Sequence, residues 1–191
     1  MIYLQLLGFL HFVAVGFFEE ILCRGYLMTA FKTTRNRPVI FCASALIFSL
    51  LHLMNPGVTP LSLVNIFLVG ILFAYMFVRT GRLWLPIGYH ITWNFFQGNV
   101  FGLLVSGTEA ASVTQTRAAE ANLLNGGAFG PEGGIFVTLV ILLGIVYVKF
   151  VVKPFDSPPW TMESDLPLVR GQKTESRDQR TGFRDPMKDM K

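Results

Sequence analysis

Residues 1–31 read MIYLQLLGFLHFVAVGFFEEILCRGYLMTAF, and their only charged side chains are Glu19, Glu20 and Arg24. The run is too long and too apolar for a surface helix. It also lacks the basic start and small-residue cleavage site of a signal peptide. It reads as a membrane helix with three charges in its interior. A charge at mid-bilayer costs about 2.5–3.5 kcal/mol even on a lenient insertion scale, so the three need compensation. Glu20 and Arg24 are four apart and share a helix face, so they can pair. Glu19 lies about a quarter-turn away and is left without a local partner.

The rest of the chain carries the same signature. Of 191 residues, 52% are hydrophobic and 15% charged, against roughly 25% charged in soluble domains. Further apolar segments span 39–54, 61–78, 83–105 and 134–152. With a hydrocarbon core needing about 20 helical residues per crossing, the expected fold is an all-α, polytopic membrane bundle of about five helices. Segment 39–54 is short and is expected to extend into its flanks. The loops alternate in charge. Lys32, Arg35 and Arg37, then Arg79 and Arg82, then Lys149 and Lys153 are basic, whereas 55–60 is uncharged and 106–133 sets Glu109, Glu120 and Glu132 against Arg117. The positive-inside bias then puts the basic loops and the tail in the cytoplasm. Two domains are expected: a transmembrane unit over 1–153 and a proline-rich, charged, largely disordered tail over 154–191. Loop 106–133 reads as a mobile cap or an insertion. The net charge of +4 has no interleaved aromatics to suggest nucleic acid. Cys23 and Cys42 read as buried small side chains, and Gly70/Ala74 and Gly98/Gly102/Ser106 as close-packing positions between helices.

Three more polar residues stand in apolar segments. His52 follows Phe48 by one turn, so the two rings can pack. His90 and Asn94 share a face and can both donate hydrogen bonds, as a side-chain oxyanion hole requires. Taken singly, each has a bland explanation: a protonated structural Glu19, a packing His52, and His90 and Asn94 as interhelical hydrogen bonds. His11 has no companion and reads as packing. Measured from the basic-loop side at helical rise, Glu19 lies at ~18 Å, His52 at ~21 Å, Asn94 at ~15 Å and His90 at ~10 Å. Three separate segments thus deliver polar groups to overlapping depths, which independent structural residues would not need to do.

The set Glu19-Glu20-x-x-x-Arg24, Phe48-x-x-x-His52 and His90-x-x-x-Asn94 resembles the CPBP family of CAAX proteases and bacteriocin-processing enzymes, also called Abi. The resemblance covers about residues 15–150. It implies a glutamate-dependent intramembrane endopeptidase cutting near the cytoplasmic side of the membrane. Glu19 would be the general base, His52 would orient the water, and His90 and Asn94 would hold the oxyanion. Glu20, Arg24 and Phe48 would shape the site. Family members usually carry more helices before the Glu-Glu pair, so front helices are expected to be missing or this is a short member.

The implied partners are a peptide or protein substrate, with or without a lipid, and membrane lipid. No cofactor is expected. A zinc ion on Glu19, His52 and His90 stays open, though the His-Glu-x-x-His helix of many zinc proteases is absent. The competing readings are a non-catalytic scaffold or immunity protein that binds a peptide at the same cluster, and a proton-coupled transporter, which the lack of inverted repeats disfavours.

Overall fold

The computed structural model describes residues 2–114, 116, 120 and 122–155. The expected tail domain therefore lies, from residue 156 on, outside the described residues. The described regular structure is helical, with a single isolated bridge between Val105 and Thr108.

Helix α1 (Ile2–Glu20) continues through a π-helical stretch (Ile21–Leu27), the short α2 (Met28–Phe31) and a 3₁₀ turn (Lys32–Thr34). Then come α3 (Arg37–Leu50), α4 (Pro60–Thr80), α5 (Trp84–Asn94) with a π-helical continuation (Phe95–Val100), and α6 (Ile135–Phe150). The five apolar segments all become helix. The continuous run Ile2–Thr34 and α4 are long and apolar enough to cross a membrane, while α3 and α6 are shorter apolar helices.

The boundaries follow local chemistry. The Asn36 side chain accepts from the Val39 N–H and Pro38 sits in the first turn, which together start α3. Thr59 and Ser62 form a reciprocal capping box around Pro60 at the start of α4, and Gly81 ends that helix in the left-handed region at φ 66°. The expected extension of 39–54 does not occur as helix. Beyond Leu50 the backbone tightens into successive three-residue turns, His52 N–H to Ser49 O and Leu53 N–H to Leu50 O. His52 therefore sits on a turn, not within a helix.

Helices α1 and α5 run antiparallel, with Gly16 against Ile91: a Cβ on Gly16 would lie 2.7 Å from Ile91 Cγ1. Helices α3 and α4 are also antiparallel. Ala45 meets Gly70 and Ser49 Oγ donates to Leu63 O at 2.8 Å. Helices α4 and α6 are parallel: Asn65 bonds Gly134 O near their starts, and Arg79 donates to Val152 O and Lys149 O at their ends. Arg79, read from sequence as a loop charge, thus satisfies carbonyls left open at the end of α6. One apolar core joins α4 and α6 through Leu72, Phe73, Met76, Val137, Ile141 and Val148.

Two sequence expectations change here. Gly98, Gly102 and Ser106 are not a helix-packing stripe. The helical path ends at Val100, so Gly98 packs on Phe12 of α1 and on Val105 and Ala110 of the following loop, while Gly102 and Ser106 serve turns at positive φ. Cys42 is exposed on α3 rather than buried; only Cys23 is enclosed. Gly70 behaves as expected. A Cβ there would stand 2.9 Å from Ala45 Cβ and 3.0 Å from Ala45 Cα, closer than packed atoms tolerate. Gly70→Ala is expected to destabilise the bundle by about 1–3 kcal/mol through overpacking. Thermal unfolding in detergent checks this, and an unchanged midpoint would refute the close approach.

Candidate active site

The site is built around an arginine fully enclosed in the bundle. Arg24 sits in the first π-helical stretch and donates through Nη1 to Glu20 Oε1 at 3.0 Å, with both side chains 0% exposed. Its Nη2 donates to Gly70 O at 3.1 Å. The guanidinium lies 4.4 Å from the ring centre of Phe48 and 5.1 Å from that of Phe73. This is how a charge persists in an apolar interior: an ion partner, a backbone acceptor and two ring faces replace water. The pairing read from the i,i+4 spacing is present.

The same Glu20 oxygen also receives His90. His90 Nδ1 is 3.0 Å from Glu20 Oε1, and its Nε2 is 3.8 Å from Glu19 Oε2. A carboxylate oxygen accepts, so Nδ1 carries the proton of that bond and Nε2 is the nitrogen turned toward Glu19. The ring is also held between aromatics, 5.4 Å from Phe73 and 6.2 Å from Phe48. Glu19 keeps 23% of its side chain exposed. Its Oε2 is enclosed yet makes no hydrogen bond among the described residues. The two neighbouring glutamates are thus divided. Glu20 faces the core and is bonded twice, whereas Glu19 faces a cavity.

That cavity, with about 170 Å³ of interior space, is lined by Glu19, Phe48, His52, His90 and Asn94, and by residues the sequence did not single out: Asn55, Asn65, Trp93, Ser106 and Glu132. His11, read as packing, is exposed on α1 and reaches the cavity wall. His52 Nδ1 lies 2.9 Å from Phe48 O. A carbonyl only accepts, so Nδ1 is the donor and Nε2 is left for the cavity. The expected Phe48–His52 stacking is present at 5.0 Å between ring centres. Asn94 is buried on the same face as His90, and its amide makes no hydrogen bond among the described residues. The helices that carry Glu19 and His90 both pass into π-helical turns at the site, α1 directly after Glu20 and α5 directly after Asn94, a local widening often found at functional positions.

Loop 106–133 is no loose insertion where it is described. Turns 104–108 and 126–134 pack on the end of the bundle beyond His52. Gly107 N–H donates to Phe129 O, and Asn55 Nδ2 to Ser106 O. Glu132 accepts from both the backbone N–H and the hydroxyl of Ser106. Burial pushes the Glu132 carboxyl above its ordinary range; the Ser106 hydrogen bonds, the nearby His52 and the Trp93 N–H act against this. A carboxyl raised on folding binds more protons in the folded state, so its contribution favours folding at low pH and is lost as pH rises through the raised value. Glu132→Gln should therefore gain melting temperature over wild type at pH 8 relative to pH 5. A constant difference across that range would contradict the burial effect.

The cavity runs from Glu19 and His90 toward these turns, away from the basic segments at 79–82 and 149–153. Among the described residues no three His, Cys, Asp or Glu side chains converge closely enough to hold an ion.

Residues 2–96 match the family model described as Type II CAAX prenyl endopeptidase Rce1-like. No curated protein and no solved structure matches the chain. The matched span holds every motif residue from Glu19 to Asn94 and stops well before the turns that bring in Ser106 and Glu132. Helical spacing builds the Glu20–Arg24 pair and the packing of α1 on α5 adds His90 to it, and the chain belongs to the CPBP, or CAAX protease, family of integral membrane endopeptidases.

Proposed function

We propose that the protein cleaves a peptide bond inside the helical bundle with water activated by Glu19. One observation supports this above the others: Glu19 presents an unpartnered carboxylate oxygen to a cavity, 3.8 Å from His90 Nε2, while the adjacent Glu20 is fully buried and holds Arg24 and His90 through Oε1. A separation of 3.8 Å is too long for a direct hydrogen bond, and a general base needs such an open position. Glu19 removes a proton from water, the resulting hydroxide attacks the carbonyl carbon, and the proton passes from Glu19 to the leaving amine as the C–N bond breaks. His52 Nε2, free because Nδ1 is held by Phe48 O, accepts the other water hydrogen and orients the attack. The oxyanion is met by Asn94 Nδ2 and by His90 Nε2–H, the latter as an imidazolium supported by Glu20. The charges Glu19⁻, Glu20⁻, Arg24⁺ and His90⁺ then balance, as an enclosed site requires.

The substrate class follows from family membership, a protein or peptide, and we propose a prenylated CAAX end as the form to test. The orientation reading places the basic segments in the cytoplasm and the chain in several passes through the bilayer. The assay is cleavage of a fluorescence-quenched peptide with a farnesylated CAAX end by the protein in proteoliposomes. Activity is expected to survive strong chelation and metal-free preparation, because the mechanism takes its base from Glu19 and its oxyanion donors from His90 and Asn94. Activity lost to chelator and restored by zinc would overturn the metal-free mechanism.

A further inference from the structure

The cavity has a second carboxylate. Among its lining residues the carboxylates are Glu19 and Glu132, and they come from opposite ends of the fold: α1, and the turn before α6. The other titratable groups around the cavity are His11 on α1, His52 on the turn after α3, and Tyr89 and His90 on α5. Glu132 lies outside the segment that carries the family match.

Its placement is rigid. Both Ser106 hydrogen bonds end on Oε2. Ser106 itself is held in the left-handed region at φ 46°, with its carbonyl bonded by Asn55 Nδ2 at 3.0 Å. Gly107 next to it is tied to Phe129 O at 2.8 Å. A non-glycine residue in that region is kept there only when its surroundings over-determine it. The Trp93 indole N–H, also on the cavity wall, is a third donor to the same carboxyl. The protein therefore fixes this carboxyl at the cavity wall with acceptor capacity to spare, since a carboxylate has about four lone-pair sites and three donors occupy it.

A peptide in such a cavity brings its own requirement. Each backbone N–H removed from water must find an acceptor, or its burial is unfavourable. The Glu19 end offers donors for the peptide carbonyl, His90 and Asn94. Acceptors are scarcer: Asn65 Oδ1 already accepts from Thr138 Oγ1 at 2.7 Å. We propose that Glu132 is a substrate-positioning residue that accepts a backbone N–H of the bound peptide and so sets its register relative to Glu19. The inference rests on the endopeptidase reading above.

The test uses the full chain in proteoliposomes and the farnesylated quenched peptide, with each backbone amide N-methylated in turn. One hydrogen bond is worth about tenfold in affinity. Glu132→Leu is expected to raise KM about tenfold with kcat within about threefold, and Glu132→Gln, whose one oxygen stays on Ser106 while its NH2 cannot accept, to raise KM in the same sense. N-methylation at one peptide position should raise KM for wild type and add nothing to Glu132→Leu, since both remove the same bond. Should Glu132→Leu not fold, Glu132→Asp, which draws the acceptor back by one methylene, is expected to raise KM in the same sense. An unchanged KM, a loss confined to kcat, or methylation penalties equal in wild type and variant at every position would overturn the proposal. Glu19→Gln run alongside separates the two readings. If it cleaves like wild type, the active-site assignment falls; if it is inactive while the Glu132 variants bind normally, only the register proposal falls.

Discussion

Glu19→Gln is expected to lower cleavage by about 10³-fold while leaving the fold intact, a loss typical for a general base. The amide keeps the size of the side chain but cannot take a proton from water. The fold should tolerate the change because Glu19 carries no structural bond: its Oε2 has no hydrogen-bond partner among the described residues, and the side chain is partly exposed to the cavity. The measurement pairs kcat/KM on the quenched peptide with thermal unfolding of the same preparation. Full activity in the variant would remove Glu19 from the mechanism and favour a peptide-binding scaffold. Lost activity together with a lowered melting temperature would point to a structural carboxyl instead.

The second large effect falls on stability. Arg24→Leu should destabilise the bundle by about 3–5 kcal/mol, because it strands the Glu20 carboxylate in an interior that gives it no water. Gly70 O would lose its donor as well, and Phe48 and Phe73 would lose the cation between them. His90, bonded to the same Glu20 oxygen, would lose the geometry that aims Nε2 at Glu19. Unfolding in detergent should show the loss directly. The double variant Glu20→Gln with Arg24→Leu should recover part of it, since no unpaired charge then stays buried. It should not recover activity, because the support for His90 is gone. An Arg24→Leu protein with a wild-type melting profile would show that the enclosed ion pair does not hold the fold.

Much of the site was legible before any coordinates. The Glu20–Arg24 pair, the Phe48–His52 contact and the shared face of His90 and Asn94 all lie within one helical turn. Sequence spacing alone determines such geometry. What spacing could not supply is where Glu20 also bonds. The contact with His90 spans 70 residues and depends on the close approach of α1 and α5 at Gly16. It also reassigns His90 from a free donor to a ring whose one nitrogen is already held.

Periodicity and charge by themselves determined an all-helical membrane bundle, the number and order of its apolar segments, and the separation of Glu19 from its paired neighbour. These follow from hydrophobic run length and from a 3.6-residue repeat, both properties of neighbours in the chain. Tertiary packing alone decided that His52 stands on a turn, that the cavity runs away from the basic segments, and that Glu132 enters it. The reason is physical. A carboxylate in a glycine-rich loop carries no local periodicity, and its burial is set by turns 104–108 and 126–134 docking on a bundle end formed by residues far away in sequence.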